Sequence, residues 1–149
     1  MPALIPPATI RRLETAARAA AKGSYSPYSK FQVGAAVLTG SGKIFAGTNI
    51  ENASYGLCNC AERTAIFTAA AAGERTLDAV VVYTPTPAPT MPCGACRQVI
   101  NEFGPDAVVI AICNSSERIE STLPQLLSHP FGPQNLVKAP KRSAARKRR

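Results

Sequence analysis

The spacing of apolar positions changes along the chain, and each change marks an element. From Thr9 to Lys22 the apolar residues Ile10, Leu13, Ala17 and Ala20/Ala21 recur at helical spacing, and Gly23 offers a stop. Ser24 to Lys30, with Pro27 and two tyrosines, reads as a loop. Phe31 to Leu38 and Lys43 to Thr48 read as two strands around a Thr39-Gly40-Ser41-Gly42 turn. Asn49 to Asn59 is polar and irregular. Cys60 to Ala72 has a helical pattern ended by Gly73, and Ala79 to Tyr83 is a short β-branched run typical of a buried strand. Four prolines force a loop from Thr84 to Pro92. Gly94 to Phe103 is a helix stopped by Gly104, and Ala107 to Ile112 is another buried strand. Ser121 to Leu127 predicts a short helix, and the chain is irregular from Pro130 onward.

This order is helix, hairpin, helix, strand, helix, strand. Strands alternating with helices predict parallel pairing with helices on both faces. The initial hairpin adds an antiparallel pair. The expected fold class is therefore α/β, a three-layer α/β/α arrangement on a mixed sheet. The 149 residues suit one domain, placed at 1–137.

Composition narrows the setting. No run of 18 uncharged apolar residues exists, so no membrane-spanning helix is expected. The first 18 residues do not read as a secretory leader, and a cytoplasmic protein is expected. The net charge of +8 is misleading, because seven basic and no acidic residues fall within 138–149. Residues 1–137 carry ten basic and nine acidic side chains, too balanced for a broad nucleic-acid footprint. The basic run reads as a solvated, disordered tail with at most weak contact to nucleic acid.

Two segments carry chemistry: Cys60-Ala61-Glu62 and Pro92-Cys93-Gly94-Ala95-Cys96. Each sits where a predicted helix begins, and the partial positive charge there favours thiolate, the metal-binding form. The two-residue gap lets Cys93 and Cys96 reach one ion, and Cys60 arrives from the neighbouring helix. Three protein ligands leave a fourth zinc position for water, as catalytic sites do. Glu62, on the same helical turn as Cys60, is placed to carry protons without binding the metal. Arg63 and Arg97, which follow Glu62 and Cys96, are expected to offset thiolate charge by hydrogen bonds to sulfur. A lone Cys-x-x-Cys also fits a redox pair or half of a structural zinc site; the second cluster argues against both.

With these motifs the chain resembles the small zinc-dependent cytidine deaminases from about Tyr25 to Leu136. The resemblance rests on Phe31-Gln-Val-Gly-Ala-Ala36, Thr48-Asn-Ile-Glu-Asn-Ala-Ser-Tyr-Gly56, Cys60-Ala-Glu-Arg-Thr64, Pro92-Cys-Gly-Ala-Cys-Arg-Gln98 and Pro130-Phe-Gly-Pro133. It implies the cytidine deaminase-like fold, with Cys60, Cys93 and Cys96 on Zn2+ and Glu62 as general acid and base. It implies that Asn49 and Glu51 bind ribose hydroxyls, Phe31 packs on the base, and the Ala61 backbone donates to the pyrimidine carbonyl. It further implies a homotetramer with shared active sites. Ala53 and Tyr55 would come from an adjacent subunit, and Phe131 would close a neighbour's pocket. The implied substrate is a cytosine nucleoside.

Three residues fall outside that pattern. Cys58 reads as a loop thiol, with competition for the metal as the alternative. Cys113 follows a buried strand and reads as packing. His129, the single histidine, lies far from the motif and reads as structural or exposed. Rival readings are a related deaminase with another amino-bearing substrate, a nucleic-acid editor using the basic tail, and a non-catalytic zinc protein.

Overall fold

A computed structural model describes residues 4–136. The basic run at 138–149, and the reading of it as a disordered tail, lie outside the described residues.

The first helix, α1, spans Pro7–Ala21 and starts with proline at its first position, where the missing N–H costs nothing. Strands β1 (Gly34–Thr39) and β2 (Ile44–Thr48) follow as an antiparallel hairpin. Gly42 takes φ +84° in the turn, a conformation that suits glycine. Helix α2 covers Ala61–Ala71, and Gly73, at φ +93°, closes it in the left-handed region. Strand β3 (Leu77–Tyr83), helix α3 (Gly94–Phe103) and strand β4 (Val108–Ile112) complete a crossover unit. Strand β5 (Arg118–Thr122) and a single-turn helix α4 (Leu123–Leu126) end the domain.

The five strands lie in the order β2-β1-β3-β4-β5. Only β3 and β4 pair in parallel, and α3 is the crossover between them. The sheet is mixed, as expected. Period-two alternation sends Ala36, Leu38, Ala79 and Val81 to one face, where α1 packs Leu13 and Ala17. Ala35, Val37, Val80 and Val82 face the other side, against Ala65, Ile66 and Ala69 of α2 and Ile100 of α3. This is the three-layer α/β/α arrangement.

Two glycines set the distances between layers. A Cβ on Gly34 would stand 2.0 Å from the Ala17 carbonyl oxygen, so α1 rests on the bare backbone of β1. A Cβ on Gly47 would stand 2.4 Å from Ala65 N and 2.8 Å from Ala61 O. That contact holds the N-terminal half of α2 close against β2.

Two expectations need correction. The first strand begins at Gly34 rather than Phe31, because the Asn49 side chain takes the Val33 N–H (2.9 Å) and gives an N–H to the Phe31 carbonyl (2.7 Å). The predicted helix Ser121–Leu127 shrinks to Leu123–Leu126, and its first residues belong to β5. Strand β5 pairs with β4 through its backbone, although Ile119 is its one large apolar residue and is exposed.

Candidate active site

Cys60 occupies the N-cap of α2 and Cys93 the N-cap of α3, both with extended backbone. Cys96 lies one turn into α3 and is buried. The two helix starts converge. The three sulfurs all lie within 4.8 Å of one another, and those of Cys60 and Cys93 are 4.0 Å apart. A tetrahedral zinc with its ordinary sulfur bond length separates its sulfurs by roughly 3.8 Å, so the donor set and spacing fit this ion.

Arg63 follows Cys60 by three residues and returns to the same side of α2. Its Nη2 donates to Cys60 Sγ at 3.3 Å. The contact with Cys96, followed by that with Arg63, pulls the Cys60 thiol down to about 5. Cys96 is pushed the other way, first by the same contact and then by burial.

Glu62 is 4% exposed and is the one buried charged side chain among the described residues. Burial raises its carboxyl to about 7, and the nearby Cys60 charge adds to the rise. It faces a cavity of about 300 Å³ together with Cys60, Cys93, Phe31, Asn49 and Glu51. Val33, Val82, Thr84 and Met91 supply further wall. The pocket thus joins an apolar slot, a sulfur cluster, a carboxyl poised to hold or release a proton near neutrality, and a polar end.

The polar end is tightly built. Asn49 Oδ1 accepts from Ser24 Oγ (2.6 Å) and Val33 N (2.9 Å), and Nδ2 donates to Phe31 O. Glu51 accepts from the backbone N–H groups of Tyr28 (2.9 Å) and Ser29 (3.2 Å) and from the Ser29 hydroxyl. These bonds, with Ser29 contributing most, hold its carboxyl below the usual range.

The structure therefore brings Phe31, Asn49, Glu51, Cys60, Glu62 and Cys93 to one cavity, with Cys96 behind them. Ala61, the first residue of α2, is buried beside it, and a helix leaves its first N–H groups without intrahelical acceptors. Ala53, Tyr55 and Phe131 do not line this chain's own cavity. Tyr55 and Phe131 are 73% and 60% exposed.

Arg97 departs from expectation. Its Nε donates to Pro92 O (2.8 Å) and its Nη1 to Leu126 O (3.0 Å), so it braces the loop before Cys93 and does not hydrogen-bond sulfur. Cys58 lines the cavity but stands outside the three-sulfur group, with its sulfur accepting the Asn52 N–H at 3.3 Å. Cys113 is buried against the Pro87 and Glu117 carbonyls, and His129 is exposed. Sequence reading missed Ser29, whose only signal was its place in a turn-rich segment.

Three thiols at two helix starts, with a buried carboxyl on the same cavity wall, define the class of zinc-type hydrolytic deaminases. The family model described as "Cytidine and deoxycytidylate deaminase zinc-binding region" matches residues 8–112. A cytidine deaminase of Halalkalibacterium halodurans is 48% identical over 118 residues, covering 78% of this chain and 89% of that one. One from Sporosarcina psychrophila is 43% identical over 128 residues, covering 85% and 94%. The crystal structure of cytidine deaminase from Burkholderia pseudomallei superimposes with a TM-score of 0.78 at 48% identity, covering 81% of this chain and 98% of that one. The chain belongs to the zinc-dependent cytidine deaminase family.

Proposed function

We propose that the protein hydrolyses cytidine and deoxycytidine to uridine and deoxyuridine with release of ammonia, in pyrimidine salvage. The observation that carries this reading is Glu62, nearly buried, raised to about 7, and facing the same cavity as Cys60 and Cys93.

Cys60, Cys93 and Cys96 would hold the zinc. When bound, zinc polarises a coordinated water and lowers its pKa. Glu62 accepts a proton from the attacking water and delivers it to N3 of the ring as C4 becomes tetrahedral. It then takes the second proton, from the hydroxyl now on C4, and passes it to the amine, which leaves as ammonia as the C4–N bond breaks and the C4=O bond forms. A carboxyl near neutrality suits both directions of transfer. Phe31 covers one face of the base, and the Ala61 N–H donates to the pyrimidine carbonyl. Asn49 and Glu51 orient the ribose hydroxyls. Arg63 offsets the thiolate charge at Cys60.

The residues absent from the chain's own cavity support a shared assembly. Tyr55 and Phe131 are large, apolar and exposed, as expected of side chains lent to other subunits of a homotetramer. Phe131 is tied through its carbonyl to Gln98 Nε2 at 2.7 Å, so its backbone is fixed while its ring projects outward. We place the protein in the cytoplasm, where reduced thiols persist, and all five of its cysteines are free. Among the described residues no helix is long and apolar enough to cross a membrane. Residues 1–137 act as the single catalytic domain.

The test is loss of the cytidine absorbance band on mixing zinc-loaded protein with cytidine. Rapid loss by the wild type is expected. Zinc-loaded protein with no turnover of any cytosine nucleoside would overturn the reading.

A further inference from the structure

We propose that Ser29 is a positioning residue that aims Glu51 and Phe31 at the nucleoside together. The inference rests on the reading of Glu51 and Phe31 given above and deepens it.

The Ser29 hydroxyl lies between the two. It donates to a Glu51 carboxylate oxygen and accepts the Phe31 N–H at 3.0 Å. The Ser29 N–H donates to the other Glu51 oxygen at 3.2 Å. A hydroxyl is suited to this place because it donates and accepts at once. One small side chain thus ties the ribose end of the cavity to the base end, and all three residues line that cavity.

Glu51 needs such a tether. Its carboxylate stands between the main cavity and an adjoining one of about 250 Å³, whose walls include Tyr28, Ser29 and Tyr55. Among the described residues, its only side-chain hydrogen bonds come from Tyr28 and Ser29. Without the hydroxyl, one carboxylate oxygen would be free to swing toward the second cavity. The Phe31 N–H would lose its acceptor, leaving the Asn49 bond to the Phe31 carbonyl as the remaining tie.

The experiment compares zinc-loaded wild type, Ser29→Ala, Glu51→Ala and the double variant in steady-state turnover of cytidine. Loss of one charge-assisted bond predicts that Ser29→Ala raises KM about tenfold with kcat held within about twofold. The KM effect should shrink in the Glu51→Ala background, where only the Phe31 arm is left to position. Ser29→Thr, which keeps the hydroxyl, should recover most of the wild-type KM. An undiminished KM loss in the Glu51→Ala background, or a fall in kcat with KM unchanged, would overturn the assignment.

A carbon-13 titration of the Glu51 carboxyl reads the tether without turnover. Its pKa should rise in Ser29→Ala, and an unchanged value would overturn the proposal. Absence of wild-type turnover would count against the activity instead, and the titration would still decide on Ser29.

Discussion

Arg63 Nη2 lies 3.3 Å from Cys60 Sγ, and its Nε is buried without a hydrogen-bond partner. A guanidinium whose visible partner is a sulfur proposed to bind zinc would be spent on the electrostatics of that site. Arg63→Ala should therefore weaken zinc binding by about ten- to a hundredfold, the usual cost of losing a group that supports a ligand. Chelator competition measures this. Arg97→Ala provides the contrast. It leaves the Pro92 and Leu126 carbonyls short of a donor, and should cost about 1–3 kcal/mol of stability, read as a lower Tm, with a smaller change in zinc affinity. Equal zinc loss in the two variants would contradict this division of labour.

In the metal-free protein, the Cys60 thiol is lowered to about 5 from the model-compound value of 9.0. Its thiolate therefore persists as pH falls from 9 until about 5, and is lost below that. Alkylation at Cys60, followed by mass spectrometry, should keep its rate down to about pH 5, while buried Cys96 and Cys113 lag. Arg63→Ala should move the Cys60 limb upward. A Cys60 profile centred near 9 would refute the lowering.

Glu62 titrates in the opposite sense. Its folded value is raised to about 7 from 4.5, so between these values the folded metal-free protein binds a proton that the unfolded chain has released. The stability from this group is fully present below about pH 4.5 and is lost as pH rises through about 7. The shift corresponds to roughly 3 kcal/mol. Denaturant melts of metal-free wild type and Glu62→Gln should diverge across that window, with the variant relatively more stable at the alkaline end.

The same substitution tests the chemistry. Glu62→Gln keeps the side-chain shape but carries no titrating proton. It should retain stoichiometric zinc by metal analysis and lose about 10²- to 10⁴-fold in kcat. A variant with most of its turnover would remove Glu62 from the proton path.

Gly47→Ala should damage the site from a distance. The added Cβ would meet the backbone of α2 at 2.4 Å from Ala65 N. Backbone cannot yield as a side-chain tip does, so α2 must move off the sheet at a cost of about 1–3 kcal/mol. Because Cys60 and Glu62 ride on that helix, activity and zinc retention should fall together with the Tm.

What the chain disclosed about itself follows from where its information lies. The helices at Cys60 and Gly94 were legible because apolar spacing, a terminal glycine and the cysteines coincide in each. Strand β5 was not, because its pattern is polar: Arg118 pairs with Glu14 (2.8 Å) and with Glu120, and the strand exists through pairing with β4. The two arginines show the limit of adjacency. Arg63, three residues beyond Cys60, lies on the same helical face and reaches its sulfur, whereas Arg97, one residue beyond Cys96, is turned by about a hundred degrees onto the loop carbonyls. The residues expected from other subunits follow from resemblance, since no pattern within one chain encodes what a second copy supplies.

The Asn49 amide carries a final consequence. Both acceptor sites of its oxygen are taken by Ser24 and Val33, and one N–H is taken by Phe31, which leaves a single outward N–H among the described residues. Glu51, beside it, offers only lone pairs. A ligand hydroxyl seated between the two must receive from one and give to the other, so its proton has one direction in which to point. Fluorine could answer Asn49 but not Glu51, and an ammonium could answer Glu51 but not Asn49. The end of the cavity proposed for ribose would thus discriminate by the sense of a hydrogen bond as well as by its position.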